Sequence, residues 1–402
     1  MNTSVHYTRL YFIYHNGTSR LWYNPKNPRP HHTRNEVLPV RRLKLYITVF
    51  AIPALAAAAF YLLVPKVGGV AAWAARSIGM PWRKTASRLT APIPFSLMEV
   101  LVALLVVWLL YLLVRLIVSH KRRSTLRGLV AWLAVVAYCA AMILWVWLAD
   151  YYAPPLYDGV LTGRGITVAE LTTVAEYFRD GANRTAGSVT RDENGEFAVP
   201  VDEILSLSGF VFDNLTEQFP KLGESHAVAK PLIISGFMSR TGYTGVFFAL
   251  TGEANVNTKM PRALLAATAA HELAHARGVA HEDAASFFGV AACITSDMKT
   301  FQYSGYLEGL LYLGNALYDA SPAAYYALSE GYSDDVRRDL KANSDYWAEI
   351  VSRNEASPAM SAVSTAVNTA YDGFLRSNGQ ESGLQTYGEC VDLIVEWHIT
   401  RR

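Results

Sequence analysis

His271-Glu272-Leu273-Ala274-His275 is the stretch of this chain best suited to chemistry. On an α-helix, residues four apart share a face, so two imidazoles placed this way can close on one metal ion at about 2.0–2.1 Å. Glu272 stands next to the first imidazole, too close in sequence to join the same chelate easily. It is suited instead to taking a proton from a metal-bound water. The preceding run, Ala263–Ala270, is rich in good helix formers. Gly278 follows three residues after His275, where a left-handed residue ends a helix. So short a motif also arises as two solvated histidines on a surface helix. The apolar flank, the terminating glycine and a nearby third donor together argue for a site.

A hydrolytic zinc centre takes three protein ligands and keeps one position for water. His281 completes HExxHxxGxxH, the metzincin pattern, while Glu282 gives the His-His-Glu set of the gluzincins. The two exclude each other unless the ion takes five ligands. A helix opening near Glu282 would bring Ser286 one turn later, within reach of a ligand histidine whose tautomer it would fix. An extended metzincin loop gives Ser286 no such role. A metzincin also needs a methionine turn, and Met298 is a weak candidate, since it follows an apolar helical stretch.

Several stretches carry a family resemblance: KPLIISGFMSRTGYTGVFFALTGEANVN (230–257), HELAHARG (271–278), EDAASFFGVAAC (282–293), YSGYLEGLLYLGNALY (303–318) and LRSNGQESGLQTYGECVDLIVEW (375–397). Through them the chain resembles the uncharacterised bacterial membrane proteins grouped as the family of unknown function numbered 3810. The resemblance covers most of the chain from the membrane helices onward and brings no substrate. In that family position 281 is commonly arginine, and the glutamate at 282 opens an acidic EDEANF-like segment. The resemblance therefore implies that Glu282 is the third ligand. This chain departs from the pattern at Ala284, where a second acid is usual, and at Ser286, where asparagine is usual. The first departure removes a second carboxylate and leaves the three-ligand set intact.

Around this motif, 402 residues leave room for two or three domains. Hydrophobic residues make up 51% and charged residues 17%, a balance shifted toward lipid. A net charge of +2 supplies no global field to recruit nucleic acid. Three apolar runs, about 45–64, 95–118 and 129–148, reach the roughly 20 residues that a bilayer core requires. Trp132, Trp145, Trp147, Tyr151 and Tyr152 near run ends fit an interfacial belt, and Pro53 is tolerated in a membrane helix. Glu99 and Arg115, near the ends of the second run, read as snorkelling charges rather than functional ones. Arg41, Arg42 and Lys44 precede the first run; His120, Lys121, Arg122, Arg123 and Arg127 join the second to the third. Both basic groups belong in the cytoplasm. The link 65–94 then lies outside although it carries Lys66, Arg76, Arg83, Lys84 and Arg88. With Trp73, Ile78 and Trp82 it is expected along the membrane surface as an amphipathic segment.

The predicted organisation is a poorly ordered tail (1–44, with no signal peptide and a solvated His31-His32 pair), a membrane domain (45–149) and an extracytoplasmic domain (150–402). In the last, Thr167 and Glu170 form a capping box that opens a helix to about 186. Further helices are expected at 201–219, over the HExxH motif after Pro261, and at 282–296, 302–319, 333–352, 358–376 and 383–398. Residues 231–234 and 245–250 suggest a small hairpin-like sheet. Asn255 and Asn257, beside Val256, suit either an edge strand facing a cleft or a polar turn. Tyr303, Tyr306, His226 and His398 are candidates for stabilising an oxyanion, and Asp283 reads as a helix N-terminal charge. Cys139, Cys293 and Cys390 form no disulfide framework.

The expected fold is mainly α: three N-terminal transmembrane helices followed by a zincin-like, mostly helical domain with a small β-sheet. The expected function is a membrane-anchored metallopeptidase in which His271, His275 and Glu282 hold Zn2+ and Glu272 is the general base. Its partners would be a peptide or protein substrate and the lipid bilayer, with no nucleic acid. A sensor with a self-cleaving site and an envelope-assembly protein with a structural metal are the alternatives; Glu272 favours catalysis, because a structural site needs no base.

Overall fold

A computed structural model describes residues 37–119, 122–383 and 389–401. The chain divides into two compact units, Met1–Val49 and Phe50–Arg402. His31, His32, His120, Lys121 and residues 384–388 lie outside the described residues.

The apolar N-terminal third forms α1 (Val37–Leu63), α2 (Val70–Ala74), a π-helical turn (Ala75–Gly79), α3 (Met80–Thr90), α4 (Leu97–Val118) and α5 (Arg122–Val146). A 3-10 segment, Leu148–Tyr152, follows α5. Among the described residues, two helical stretches are long and apolar enough to cross a membrane, Leu97–Val118 and Arg122–Tyr152, where three were expected. The first run falls short because its described apolar part is Val49–Leu63. The other two form a hairpin. Trp132 donates its indole N–H to the Leu105 carbonyl (2.9 Å), and Arg115 reaches Ser124 near the turn. Leu104, Val107, Leu110, Val114 and Ile117 are all more than half exposed, so α4 offers apolar side chains to its surroundings on nearly every face. So large a bare apolar surface, on helices of this length, suggests a membrane protein.

The link between α1 and α4 does not lie free along a surface; it docks on the rest of the molecule. Trp82 donates to the Ala249 carbonyl (3.0 Å), Thr90 to the Thr251 carbonyl (3.1 Å), and Lys230 to the Thr90 carbonyl (2.8 Å). Arg83 is buried and donates to both oxygens of Asp150 (2.5 and 3.2 Å), and Lys84 pairs with Glu224. Two cations that gave this link a cytoplasmic look are therefore held by acids of the same body.

In the remainder, α6 (Val168–Ala186) opens on the expected Thr167–Glu170 capping box. The helix expected over 201–219 is only α7 (Val201–Leu207), which tightens into a 3-10 turn at Ser208–Phe210. Ser208 there turns its hydroxyl to the Leu205 carbonyl and accepts from the Ala229 amide. β1 (Ala229–Pro231), α8 (Ser235–Thr241), β2 (Gly245–Phe248) and β3 (Glu253–Val256) follow. The sheet order is β1-β3-β2, with β2 antiparallel and β1 parallel to β3. The sheet was expected between 231–234 and 245–250, but those segments do not pair; the hairpin joins β2 to β3, and Gly252 takes the left-handed conformation its turn requires (φ 66°). The remaining helices are α9 (Arg262–Ala276), α10 (Glu282–Thr295), α11 (Lys299–Ala320), α12 (Pro322–Glu330), α13 (Asp334–Glu355), α14 (Pro358–Ser377) and α15 (Cys390–Thr400). Of these α12 was not expected; Ser321 caps it and Pro322 starts it. α9 is apolar all round and buried, packed among Phe287, Phe288, Leu307 and Leu310. The motif thus sits on the innermost helix of the molecule.

Candidate metal centre

Gly278 lets α9 end where it does. Its φ of 98° turns the chain, and the Val279 amide bonds back to the Ala274 carbonyl. α10 then starts at Glu282 and returns across α9. Gly289 permits the close crossing: a Cβ there would lie 3.0 Å from the His271 amide nitrogen and 3.1 Å from its Cα. These two glycines bring Glu282 over the face that carries His271 and His275.

The three side chains converge. His271 Nε2 lies 3.1 Å from Glu282 Oε2 and 3.2 Å from His275 Nε2, and His275 Nε2 lies 3.4 Å from Glu282 Oε2. Tetrahedral ligands on a zinc ion at about 2.0–2.1 Å stand about 3.3 Å apart. The triangle has that size. His275 Nδ1 donates to the Val279 carbonyl (2.6 Å), which fixes the ring with Nε2 facing the other two atoms. Ser286 Oγ lies 3.4 Å from His271 Nδ1, the position expected if α10 opens at Glu282, and Tyr312 hydroxyl is 3.5 Å from the same oxygen. Glu282 Oε1 accepts from Tyr371 hydroxyl (2.7 Å), which leaves Oε2 for the centre.

His281 points elsewhere. It caps the start of α10, donates Nε2–H to the Tyr151 carbonyl (3.1 Å) and packs against the Tyr151 ring. The local residues alone left 281 and 282 open, and the structure brings only Glu282 to the pair of imidazoles. Met298 precedes α11 and packs on the core. Asp283 stays in the first turn of α10.

Charge is balanced tightly here. Burial, aided by Glu282, lifts the Glu272 carboxyl to about 8 against the pull of His275. Burial lowers the His271 pKa. It acts the same way on His275, but the Glu282 carboxylate overcomes it and raises that imidazole to about 9. Glu282 itself is held well below the carboxylate range, since its contacts to the two histidines outweigh its burial. Without a metal, a proton on His275 is what neutralises Glu282.

Glu272 turns toward β2. A Cβ on Gly245 would lie 2.5 Å from Glu272 Oε1, so a larger residue there would displace the carboxylate. Its Oε2 is buried without a hydrogen-bond partner. Beside it opens a cleft of about 400 Å³ lined by Tyr243, Gly245, His271, Glu272, Glu308 and Tyr312, among others. The Tyr243 hydroxyl is also buried and unpartnered. Its ring packs edge-on against Tyr371 (5.4 Å), and burial together with Glu282 and Asp372 raises its pKa to about 12. Trp147, just past the end of α5, meets the His275 ring edge-on at 5.6 Å.

None of the four expected oxyanion donors lines this cleft. Tyr303 bonds to Asp339 and Arg191, Tyr306 to Tyr177, and His398 stacks on Tyr177. His226 lies on the link side, its amide donating to Ser87. Asn255 and Asn257 do not face the cleft either: both are buried, and their amides donate within the sheet and to Ser239 and Tyr243. Sequence reasoning missed Tyr243, Tyr371, Glu308 and Tyr312. Only Tyr243 carried a usable signal, its place directly before β2. Cys293 and Cys390 are free and buried.

A family model described as Protein of unknown function (DUF3810) matches residues 76–395. No curated protein and no solved structure matches the chain.

Proposed function

The chain belongs to the family of unknown function DUF3810, whose description assigns no chemistry, and we propose a function from the site itself: a membrane-anchored, zinc-dependent metallopeptidase of gluzincin type. The triangle of donor atoms beside an orphaned, buried carboxylate carries the reading. Three ligands rather than four favour a catalytic over a structural centre among the described residues. When bound, the ion polarises a carbonyl and makes water a better nucleophile at neutral pH.

The chain's own residues do the rest. Glu272 takes the proton of the attacking water and passes it to the leaving amine. Tyr243 supplies the hydroxyl that meets the developing oxyanion, a role its unpartnered O–H suits. Strand β2 is an edge of the sheet and runs alongside Glu272, so an extended polypeptide would pair with β2 as an added strand. Arg122, Arg123 and Arg127 stand at the turn of the α4–α5 hairpin and the metal centre toward its open end, an arrangement that supports an extracytoplasmic cleft.

The test is elemental analysis beside hydrolysis of a quenched-fluorescent peptide library. Glu272→Gln should keep its zinc and lose activity by about 10²–10⁴-fold, and His275→Ala should lose both. Full activity in Glu272→Gln would remove the proposed base.

A further inference from the structure

The corner between β1 and α8 is apolar and bare. Ile233 is 84% exposed, Ile234 45% and Phe237 46%. Nothing in the core needs these side chains outside, and isolated they would carry no meaning. Their position is what carries weight. The two oxygens of Glu99 accept the Ile233 and Ile234 amides, each at 3.0 Å. Glu99 is the third residue of α4 and does not snorkel into water; it pins this corner to the first turn of that helix. Glu253 of the central strand accepts the next two free amides of the same turn, from Leu97 and Met98. Phe95 and Leu89, four and ten residues before Glu99 in the chain, are also exposed. The apolar corner is therefore continuous with the bare surface of α4, at the level where that helix leaves the sheet.

We propose that the Ile233–Ile234–Phe237 corner is seated in the lipid bilayer interface, and that it holds the metal cleft at the membrane surface. Glu99 lies only about 3 Å along the axis from the start of α4, at 1.5 Å per residue, so the corner meets the boundary of the hydrocarbon layer. α8 then leads directly from this corner to Tyr243 and Gly245 on the cleft. Trp147, one residue past α5, packs against the His275 ring. Both membrane-side elements reach the centre within a few residues. If the peptidase reading holds, on which this clause rests, the substrate is a polypeptide tethered in the same bilayer and cut close to it.

The full chain is reconstituted in phosphatidylcholine–phosphatidylglycerol nanodiscs, with Cys139→Ser as background. Ile233→Cys carries a polarity-sensitive fluorophore, Phe237→Cys repeats the measurement should the first variant fold poorly, and Glu193→Cys is the exposed control. Blue-shifted emission at Ile233, quenched by lipids brominated near the headgroup and absent at Glu193, is the expected result. Emission matching the control would overturn the proposal. So would a blue shift that brominated lipid leaves unquenched, because a protein surface would then cover the corner. These readouts need no activity. A second assay compares one peptide free and lipid-tethered: a cleaved tethered form with a poorly cleaved free form supports the substrate clause, equal cleavage overturns that clause alone, and no cleavage of either sinks the peptidase reading.

Discussion

Two kinds of buried charge sit close together in this molecule. Arg83–Asp150 and Lys230–Glu253 are closed: Lys230 donates to Glu253 and to the Thr90 carbonyl, and the Glu253 oxygens also accept from Leu97, Met98 and Thr251. His271, His275 and Glu282 are nearly as deeply placed, but their donor atoms converge on one another, so that the three could share one ion. The cost of desolvation is offset in one case by neighbouring protein groups; in the other, on the metal reading proposed above, a cation would offset it. The closed pairs fasten the link and the membrane helices to the sheet. The converging set is left for chemistry.

That contrast breaks most sharply at the ligands. Glu282→Ala should abolish stoichiometric zinc, whereas His281→Ala should keep it; elemental analysis of the two purified variants decides. Metal loss in the second alone would move the third ligand to His281 and undo the converging set as drawn. At the closed pairs the opposite pattern is expected. Arg83→Ala leaves Asp150 buried without its partner and should lower stability by about 3–5 kcal/mol, with zinc per folded molecule unchanged. Denaturant unfolding in detergent measures this, and the double variant Arg83→Met with Asp150→Leu should recover most of the loss. Smaller effects separate the two cleft tyrosines. Tyr243→Phe should lower kcat by about 10²-fold with zinc affinity intact, as loss of one oxyanion donor does. Tyr371→Phe should instead weaken zinc by about 10–100-fold, because it orients Glu282. Swapped outcomes would exchange their roles.

The imidazole pair was legible because helical spacing is a local rule: His271 and His275 must share a face. The third ligand was not legible from spacing, and the family resemblance alone pointed to Glu282, since residues 281 and 282 are equally near in the chain. Their directions are set by the turn at Gly278 and by the Tyr151 carbonyl, 130 residues away, that takes His281. Tyr371 lies 89 residues from Glu282, and no local pattern announces such a contact. The asparagines before α9 were misjudged as cleft candidates because β3 is central and buried on all its residues, and the edge next to the site is β2. Helix α12 had a signal in Ser321-Pro322 that apolar periodicity obscured. The apolar hairpin was legible from composition; that the link before it docks on the sheet was not, because pairing of Arg83 with Asp150 is again a long-range event.

Gly289 bears on which ions the centre accepts. With only a hydrogen on its α-carbon, α10 rests against the main chain of His271, and main chain cannot swing aside as a side chain can. A methyl group at 289 would wedge the helices apart by some tenths of an ångström and carry Glu282 outward with them. The aperture among the three donors would widen, and its preference would drift from small tetrahedral cations toward larger, more highly coordinated ones.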